Sequence, residues 1–332
     1  MHKFQAKGVE SYLDVSNAWG HPALIKSIAN RYDVDEQRVA TTNGASNGIY
    51  LLCRALLSKD DHVIIESPAY EPLVATADSV GSRITYWKRK PPEYLFDYDD
   101  LKRTVKPDTT LLIISNLHNP SGALPRDDQL KELACVAQQV NPTIKIAVDE
   151  VYHDFTSGTQ MPAATLDDCF ISLNSLTKVY GLGCVHTGWI LAERAVIDKI
   201  KRVQLLVEGS GAKLLEGFVS FIIENLDEYL NRAVEIVSKN RRLLVQYLRP
   251  LLSDGILSSK IPKYGCTYFP RILGVNDSWM FIEKLAEQYQ VYVVPGRFFG
   301  EPEHIRIGFG EKPEKLKTSL EKFTEAAYAL LQ

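Results

Sequence analysis

The strongest constraint in this chain is an alternation of two patterns. Short apolar runs of strand length, Val63-Ile64-Ile65, Leu111 to Ile114, Ile144 to Val148 and Phe170 to Leu173, are separated by amphipathic stretches of helical length such as Gln129 to Val140. A run that is apolar on every residue buries both faces, which strands do in a sheet covered on both sides by helices. The pattern predicts an α/β fold, a three-layer αβα domain around a mostly parallel mixed sheet. Near residue 225 the pattern changes. Leu226, Leu230, Ala233, Val234, Val237, Leu244, Tyr247 and Leu248 recur at helical spacing, and Pro250 is expected to stop the run. Strand-like pieces follow at Thr267 to Pro270, Val291 to Val294 and His304 to Phe309, mixed with helical stretches. The expected organisation is a large domain over 20–235 and a smaller α+β domain made of 1–19 and 236–332, bridged by a long helix around 225–248.

Composition narrows the function classes. The 332 residues are 45% hydrophobic and 24% charged, which excludes disorder as the dominant state. With 38 Lys and Arg against 41 Asp and Glu, the net charge of −3 gives no bulk attraction to nucleic acid or an anionic membrane. No apolar run is long enough to span a bilayer, and Met1-His2-Lys3-Phe4-Gln5 lacks the apolar core of a secretion signal. The five cysteines, Cys53, Cys135, Cys169, Cys184 and Cys266, are scattered and never form a C-x-x-C pair. That argues against a disulfide framework or a structural zinc, so a reducing, cytoplasmic compartment is expected. The charge clusters Lys88-Arg89-Lys90 and Arg126-Asp127-Asp128 read as solvated surface.

Ligands of open α/β sheets bind at the carboxyl ends of the strands. The run Val63 to Ile65 is followed by Glu66-Ser67-Pro68-Ala69-Tyr70, and Leu111 to Ile114 by Ser115-Asn116-Leu117-His118-Asn119-Pro120-Ser121-Gly122. Asp149-Glu150-Val151-Tyr152 follow the third run, and Asn174-Ser175-Leu176-Thr177-Lys178 the fourth. Ahead of these, Thr42-Asn43-Gly44-Ala45-Ser46-Asn47-Gly48 opens an apolar helix over Ile49 to Leu57. Small residues at a helix start leave backbone N–H groups open to an anion. Taken singly, each feature has an ordinary structural use as a turn, a cap, a solvated lysine or a Gly-rich helix start.

Taken together and in order, Asn-Pro-x-Gly, Asp-Glu-x-Tyr, Ser-x-x-Lys and a late arginine resemble the class I/II aminotransferases. These are fold-type I enzymes that use pyridoxal 5′-phosphate, and the resemblance runs from about Gly20 to the C-terminus. It implies that Lys178 forms the Schiff base with the cofactor and serves as general acid and base. Asp149 is implied as the partner of the pyridinium N–H, Tyr152 and Asn119 as hydrogen-bond partners of the phenolic oxygen, and Tyr70 as the ring that stacks on the pyridine. Gly44, Ala45 and Ser46 are implied as the phosphate cradle, with Ser175 and Thr177 as hydroxyl donors. Arg306, in His304-Ile305-Arg306-Ile307-Gly308, is implied as the clamp on the substrate α-carboxylate, alongside Asn119. Arg297, in Pro295-Gly296-Arg297-Phe298-Phe299-Gly300, is a candidate to reach a substrate side chain.

Two departures from the family pattern stand out. The arginine expected eight residues after the lysine is His186, with Gly188 keeping the register. Histidine is a weaker and pH-dependent phosphate partner, so the aminated cofactor is expected to be held loosely. The N-terminal register where the family supplies a tyrosine to a neighbouring subunit reads Val15-Ser16-Asn17-Ala18-Trp19-Gly20, and Tyr12 is the nearest tyrosine. The expected function is a homodimeric aminotransferase that moves an amino group from an amino acid to a 2-oxo acid by a ping-pong cycle. The rival readings are a lyase or synthase of the same fold acting on a specialised amino acid, and a non-catalytic homologue.

Overall fold

The computed structural model describes residues 17–156, 161–209, 211 and 213–331. Its centre is a seven-stranded sheet: β1 (Val39–Thr42), β2 (His62–Ser67), β3 (Arg83–Lys88), β4 (Thr109–Ser115), β5 (Lys145–Asp149), β6 (Phe170–Ser175) and β7 (Gly188–Leu191). The spatial order is β1-β7-β6-β5-β4-β2-β3. The pairs β2–β3, β2–β4, β4–β5 and β5–β6 are parallel, while β7 runs antiparallel to both β1 and β6. The sheet is therefore mixed and mostly parallel, as the apolar runs predict.

Strand periodicity builds the layers. Leu111 and Ile113 of β4 pack with Ile49, Leu52, Val63, Ile65, Leu173 and Ile197 on one face. Their neighbours Leu112 and Ile114 pack with Ile64, Leu130, Leu133, Ile146 and Val148 on the other. The first face is covered by helices Gly44–Leu56, Glu71–Ser79 and Arg194–Glu208, the second by Tyr98–Thr104 and Asp127–Val140. The Asp127–Val140 helix buries Leu130, Leu133, Ala134 and Ala137, the spacing of a single helical face. Each fully buried leucine is worth about 1.5–3 kcal/mol relative to exposure.

Helix Leu226–Ser253 is the long helix expected near residue 225. Pro250 does not stop it. The proline lies inside the last turn, where its missing N–H costs one hydrogen bond, and the chain turns out of the helix at Gly255, φ +70°. There Ile256 N–H donates to Leu251 O and Gly255 N–H to Leu252 O, the paired bonds of a Schellman termination. Beyond it lie a two-stranded sheet (Leu257–Ser258 with Arg271–Ile272) and a three-stranded one in which Ile305–Gly308 pairs with Val294–Pro295 and Thr267–Tyr268. Of the run Val291 to Val294, only Val294 pairs, and Tyr292 is 76% exposed. Helices Trp279–Tyr289 and Pro313–Leu331 complete this part. Its core, around Leu248, Tyr268, Phe281, Ile305 and Phe323, is continuous with Leu24, Ile28 and Trp189. Ile305–Gly308 thereby stands over the carboxyl ends of β4 to β6, where Arg306 and Asn119 meet.

Candidate active site

A cleft of about 360 Å³ opens where the parallel strands end, lined by Gly44, Ala45, Ser46, Tyr70, Asn119, Asp149, Tyr152, Thr177, Lys178, His186 and Arg306. Nearly every residue singled out from the sequence is thus brought to one place, although they are scattered over more than 260 positions from Gly44 to Arg306. A larger cavity of about 670 Å³, between the Pro92–Leu95 loop and Ser259–Tyr264, contains none of them.

Strand register sets the floor of the cleft. Asp149 ends β5 and pairs with Ser115 of β4 and Leu173 of β6. Its carboxylate is buried and, among the described residues, accepts one hydrogen bond, from Val151 N–H at 3.2 Å. Burial pushes its pKa up to about 6; the Val151 N–H lowers it, Glu66 raises it and Lys178 lowers it. A buried carboxylate that lacks a full set of donors is suited to a cationic N–H in the cleft. Tyr152, nearly buried, has its phenol pushed well up, first by burial, with Arg306 acting in the opposite direction.

The end of the cleft where a phosphate is expected is built by backbone. Helix Gly44–Leu56 starts with no side-chain cap from Asn43, so the N–H groups of its first turn face the cleft unclaimed by a side chain. Gly44 holds φ +76°, and a Cβ built on it lies 3.3 Å from His186 Cε1. The His186 imidazole therefore sits directly over the start of this helix. His186 itself adopts φ +47°, a left-handed conformation. Gly188 is required by close approach: a Cβ there meets Asn174 O at 2.7 Å, and Gly44 C and Thr42 Oγ1 at 2.9 Å. Thr177 lines the cleft, whereas Ser175 is fully buried behind it, with Oγ 2.8 Å from Thr177 Oγ1.

At the opposite end two expected substrate ligands are already joined. Arg306 Nη1 donates to Asn119 Oδ1 at 3.0 Å, and its guanidinium carbon stands 5.1 Å from the Phe299 ring. Arg306 Nε is buried without a protein partner. Lys178 is exposed to the cleft, and its side chain makes no hydrogen bond or ion pair among those found for the described residues. Tyr70, the N-cap of helix Glu71–Ser79, presents its ring to the same space.

Two expectations are corrected. Arg297 does not line the cleft: its Nη2 is 2.5 Å from Asp277 Oδ2 and its guanidinium lies 4.3 Å from the Trp279 ring centre, which ties it to the start of helix Trp279–Tyr289. Arg89, read as solvated surface, is fully buried and ion-paired with Glu66 at 2.8 Å. The missed signal is a period of two. Trp87 and Arg89 point inward while Lys88 and Lys90 are exposed, so the β3 alternation runs on past the strand end. Ile49, Pro72, Leu73, Val151 and Gly183 also line the cleft and carried no sequence signal beyond apolarity or turn preference. Tyr12 lies outside the described residues.

The pattern of aminotransferase class I and II matches residues 6–323, and the chain belongs to that family. It is 30% identical to capreomycidine synthase of Streptomyces vinaceus over 86% of this chain and 74% of that one. It is 27% identical to an aspartate aminotransferase of Pyrococcus horikoshii over 92% of this chain and 81% of that one. The solved structure of a PLP-dependent aminotransferase from Streptococcus suis superposes with a TM-score of 0.91 at 26% identity, covering 100% of this chain and 88% of that one. The cofactor of the family is pyridoxal 5′-phosphate, and the half-satisfied Asp149 carboxylate and the glycine-floored cradle under His186 fit it.

Proposed function

We propose that this cleft transfers an amino group from an amino acid to a 2-oxo acid in two half-reactions, with Lys178 as the proton carrier. When bound, pyridoxal 5′-phosphate supplies the electron sink for charge developing at the substrate α-carbon. The observation that carries the reading is the Arg306–Asn119 bond facing Lys178 across one cleft. Arg306 presents a planar fork to the α-carboxylate, which fixes the α-carbon within reach of Lys178 Nζ. Lys178 Nζ would hold the cofactor at rest and, once free, take the proton from the α-carbon. Asp149 would keep a proton at the ring nitrogen, Tyr152 and Asn119 would bond the phenolic oxygen, and Tyr70 would pack on the ring. The Gly44–Ser46 backbone, Thr177 and His186 would hold the phosphate, with Ser175 acting through Thr177.

Among the described residues, the basic side chains lining the cleft are Lys178, His186 and Arg306, and these include no second arginine for a dicarboxylic side chain. Leu206 is 87% exposed, and Leu205, Val207 and Leu214 are 46%, 53% and 48% exposed on adjoining helices. That apolar surface supports a homodimer, to be read by sedimentation. Five free cysteines, two of them buried, support a cytoplasmic home. The change in strand pattern supports a division near residue 235. No helix of the described residues is long and apolar enough to cross a membrane.

The test is a visible absorbance spectrum of the holoenzyme and of Lys178→Ala with a panel of amino acids. The reading expects a band that requires Lys178 and is bleached by those amino acids that serve as donors. A band independent of Lys178, or one that no amino acid changes, overturns it. The likeness to capreomycidine synthase favours a second reading, in which the same groups serve elimination, replacement or cyclisation on a specialised amino acid. The mark of elimination is release of ammonia without an acceptor oxo acid.

A further inference from the structure

Arg89 and Glu66 are both 0% exposed and ion-paired, and Glu66 is bonded to Ser115, the residue that pairs with Asp149 at the end of the sheet. A buried pair of this kind is poor stabilisation, because desolvation offsets the attraction and well-packed apolar residues serve as well. Arg89 Nη2 even lacks a partner. What the pair does make is a connected set of bonds that ends on the substrate clamp. Arg89 Nη1 donates to Glu66 Oε2 at 2.8 Å. Glu66 Oε1 accepts from Ser115 N–H at 2.6 Å and from Ser115 Oγ–H at 2.5 Å. Ser115 Oγ in turn accepts from Asn119 N–H at 3.0 Å, and Asn119 Oδ1 accepts from Arg306. A second branch leaves the same guanidinium. Arg89 Nε donates to Tyr94 O at 2.6 Å, and the Tyr94 hydroxyl lies 3.3 Å from His304 Nε2, two residues before Arg306.

We propose that Glu66, locked by Arg89, is a positioning residue that acts through Ser115 to hold Asn119 and, with it, the Arg306 clamp. This inference rests on the aminotransferase reading of the cleft. The loop after β4 carries Asn119 with no regular structure to hold it. Its anchors include the Ser115 bonds to Glu66, the Asn116 N–H donated to Asp149 O at 2.9 Å, the His118 ring, with Nε2 2.9 Å from Pro68 O and Nδ1 2.6 Å from Ser121 Oγ, and the Asn119 N–H donated to Ser115 Oγ, which is the bond nearest the clamp. Ser115 Oγ is the one atom that joins the ion pair to Asn119, donating to one and accepting from the other. Its removal leaves the Asn119 N–H buried without an acceptor, and the loop relaxes to find one. Displacement of about 1 Å at a positioning group is enough to cost up to about a hundredfold.

The experiment compares steady-state kinetics of the native holoenzyme with Ser115→Ala, Ser115→Thr and the double variant Ser115→Ala with Glu66→Gln. The probe of binding alone is an α-methyl amino acid, which carries the carboxylate but no α-proton. Ser115→Ala is expected to raise KM for the amino donor, and Ki for the probe, about tenfold, with kcat within about threefold and the Lys178-dependent band retained. Ser115→Thr, which keeps the hydroxyl, restores KM. Glu66→Gln adds no further rise on the Ser115→Ala background, because both cuts fall on one chain of bonds. An unchanged KM in Ser115→Ala overturns the inference. So does a joint loss of kcat, cofactor and thermal stability that Ser115→Thr does not restore, since that marks a merely structural residue. If Ser115→Ala does not fold, Ser115→Cys is read in its place against the same two outcomes. A native protein with neither the Lys178-dependent band nor amino transfer overturns the aminotransferase reading itself. Native activity with an unmoved Ser115→Ala KM overturns this inference alone.

Discussion

Burial of the Asp149 carboxylate with a single hydrogen bond gives the cofactor-free protein a defined response to pH. Its folded pKa of about 6 stands above the ordinary 3.8, so the native chain binds this proton more tightly than the unfolded one. Stability from this group is therefore present at low pH and is lost as pH rises through about 4 to about 6. Asp149→Asn is expected to flatten that slope, and to stabilise the cofactor-free protein at neutral pH by on the order of 2–3 kcal/mol, while weakening its hold on the cofactor. Urea unfolding at about pH 4 and about pH 7 checks it, and equal midpoints for native and variant at pH 7 speak against it. His186 makes the second residue-scale case. Its imidazole sits over Gly44, where a phosphate is proposed to bind. His186→Arg is expected to tighten binding of pyridoxamine phosphate about tenfold, as a fixed charge-assisted pair does. Titration calorimetry of the cofactor-free protein decides it, and equal affinities in the native protein and the variant refute it.

At the scale of elements, β7 and helix Gly44–Leu56 are locked together at Gly188. A methyl group there meets the Asn174 carbonyl oxygen at 2.7 Å and the Gly44 backbone at 2.9 Å, both rigid. Gly188→Ala is expected to cost about 3 kcal/mol or more and to loosen the cofactor, because the strand that moves away carries the helix start with it. Thermal unfolding with and without cofactor reads both effects, and a variant of native stability would show that β7 has room to spare. The strands that were legible in the sequence are those buried on both faces. Leu111 to Ile114 is apolar at every position because each residue meets one of two cores. Edge strand β3 was hidden because it buries little: Arg83, Tyr86 and Lys88 are exposed, and the inward residues are Trp87 and then Arg89. A charged residue at an inward position reads as surface until its partner is known, and Glu66 lies 23 residues away. Pro250 was misplaced as a stop because the last turn of a helix tolerates one missing N–H, while Gly255 supplies the turn that ends it.

Over the whole molecule, the cleft exists because two parts of the chain close on each other. The sheet ends supply Tyr70, Asn119, Asp149, Tyr152 and Lys178, and the strand Ile305–Gly308 brings Arg306 against Asn119. The order of motifs along the sequence revealed the members of this site. It also singled out Arg306 for the cleft, but it left Arg297 as a candidate to join it. Arg297 and Arg306 are nine positions apart, and only the Asp277 and Trp279 contacts show that Arg297 is spent elsewhere. The shared cleft makes one claim about chemistry, that the amino group is carried from one carbon skeleton to another and never released. The most direct measurement gives the holoenzyme a ¹⁵N-labelled amino donor with an unlabelled 2-oxo acid and follows the label by NMR. The account predicts ¹⁵N in the new amino acid, at a rate lost in Lys178→Ala. Label appearing as free ammonium, or remaining in the donor through a panel of amino acids, would contradict it.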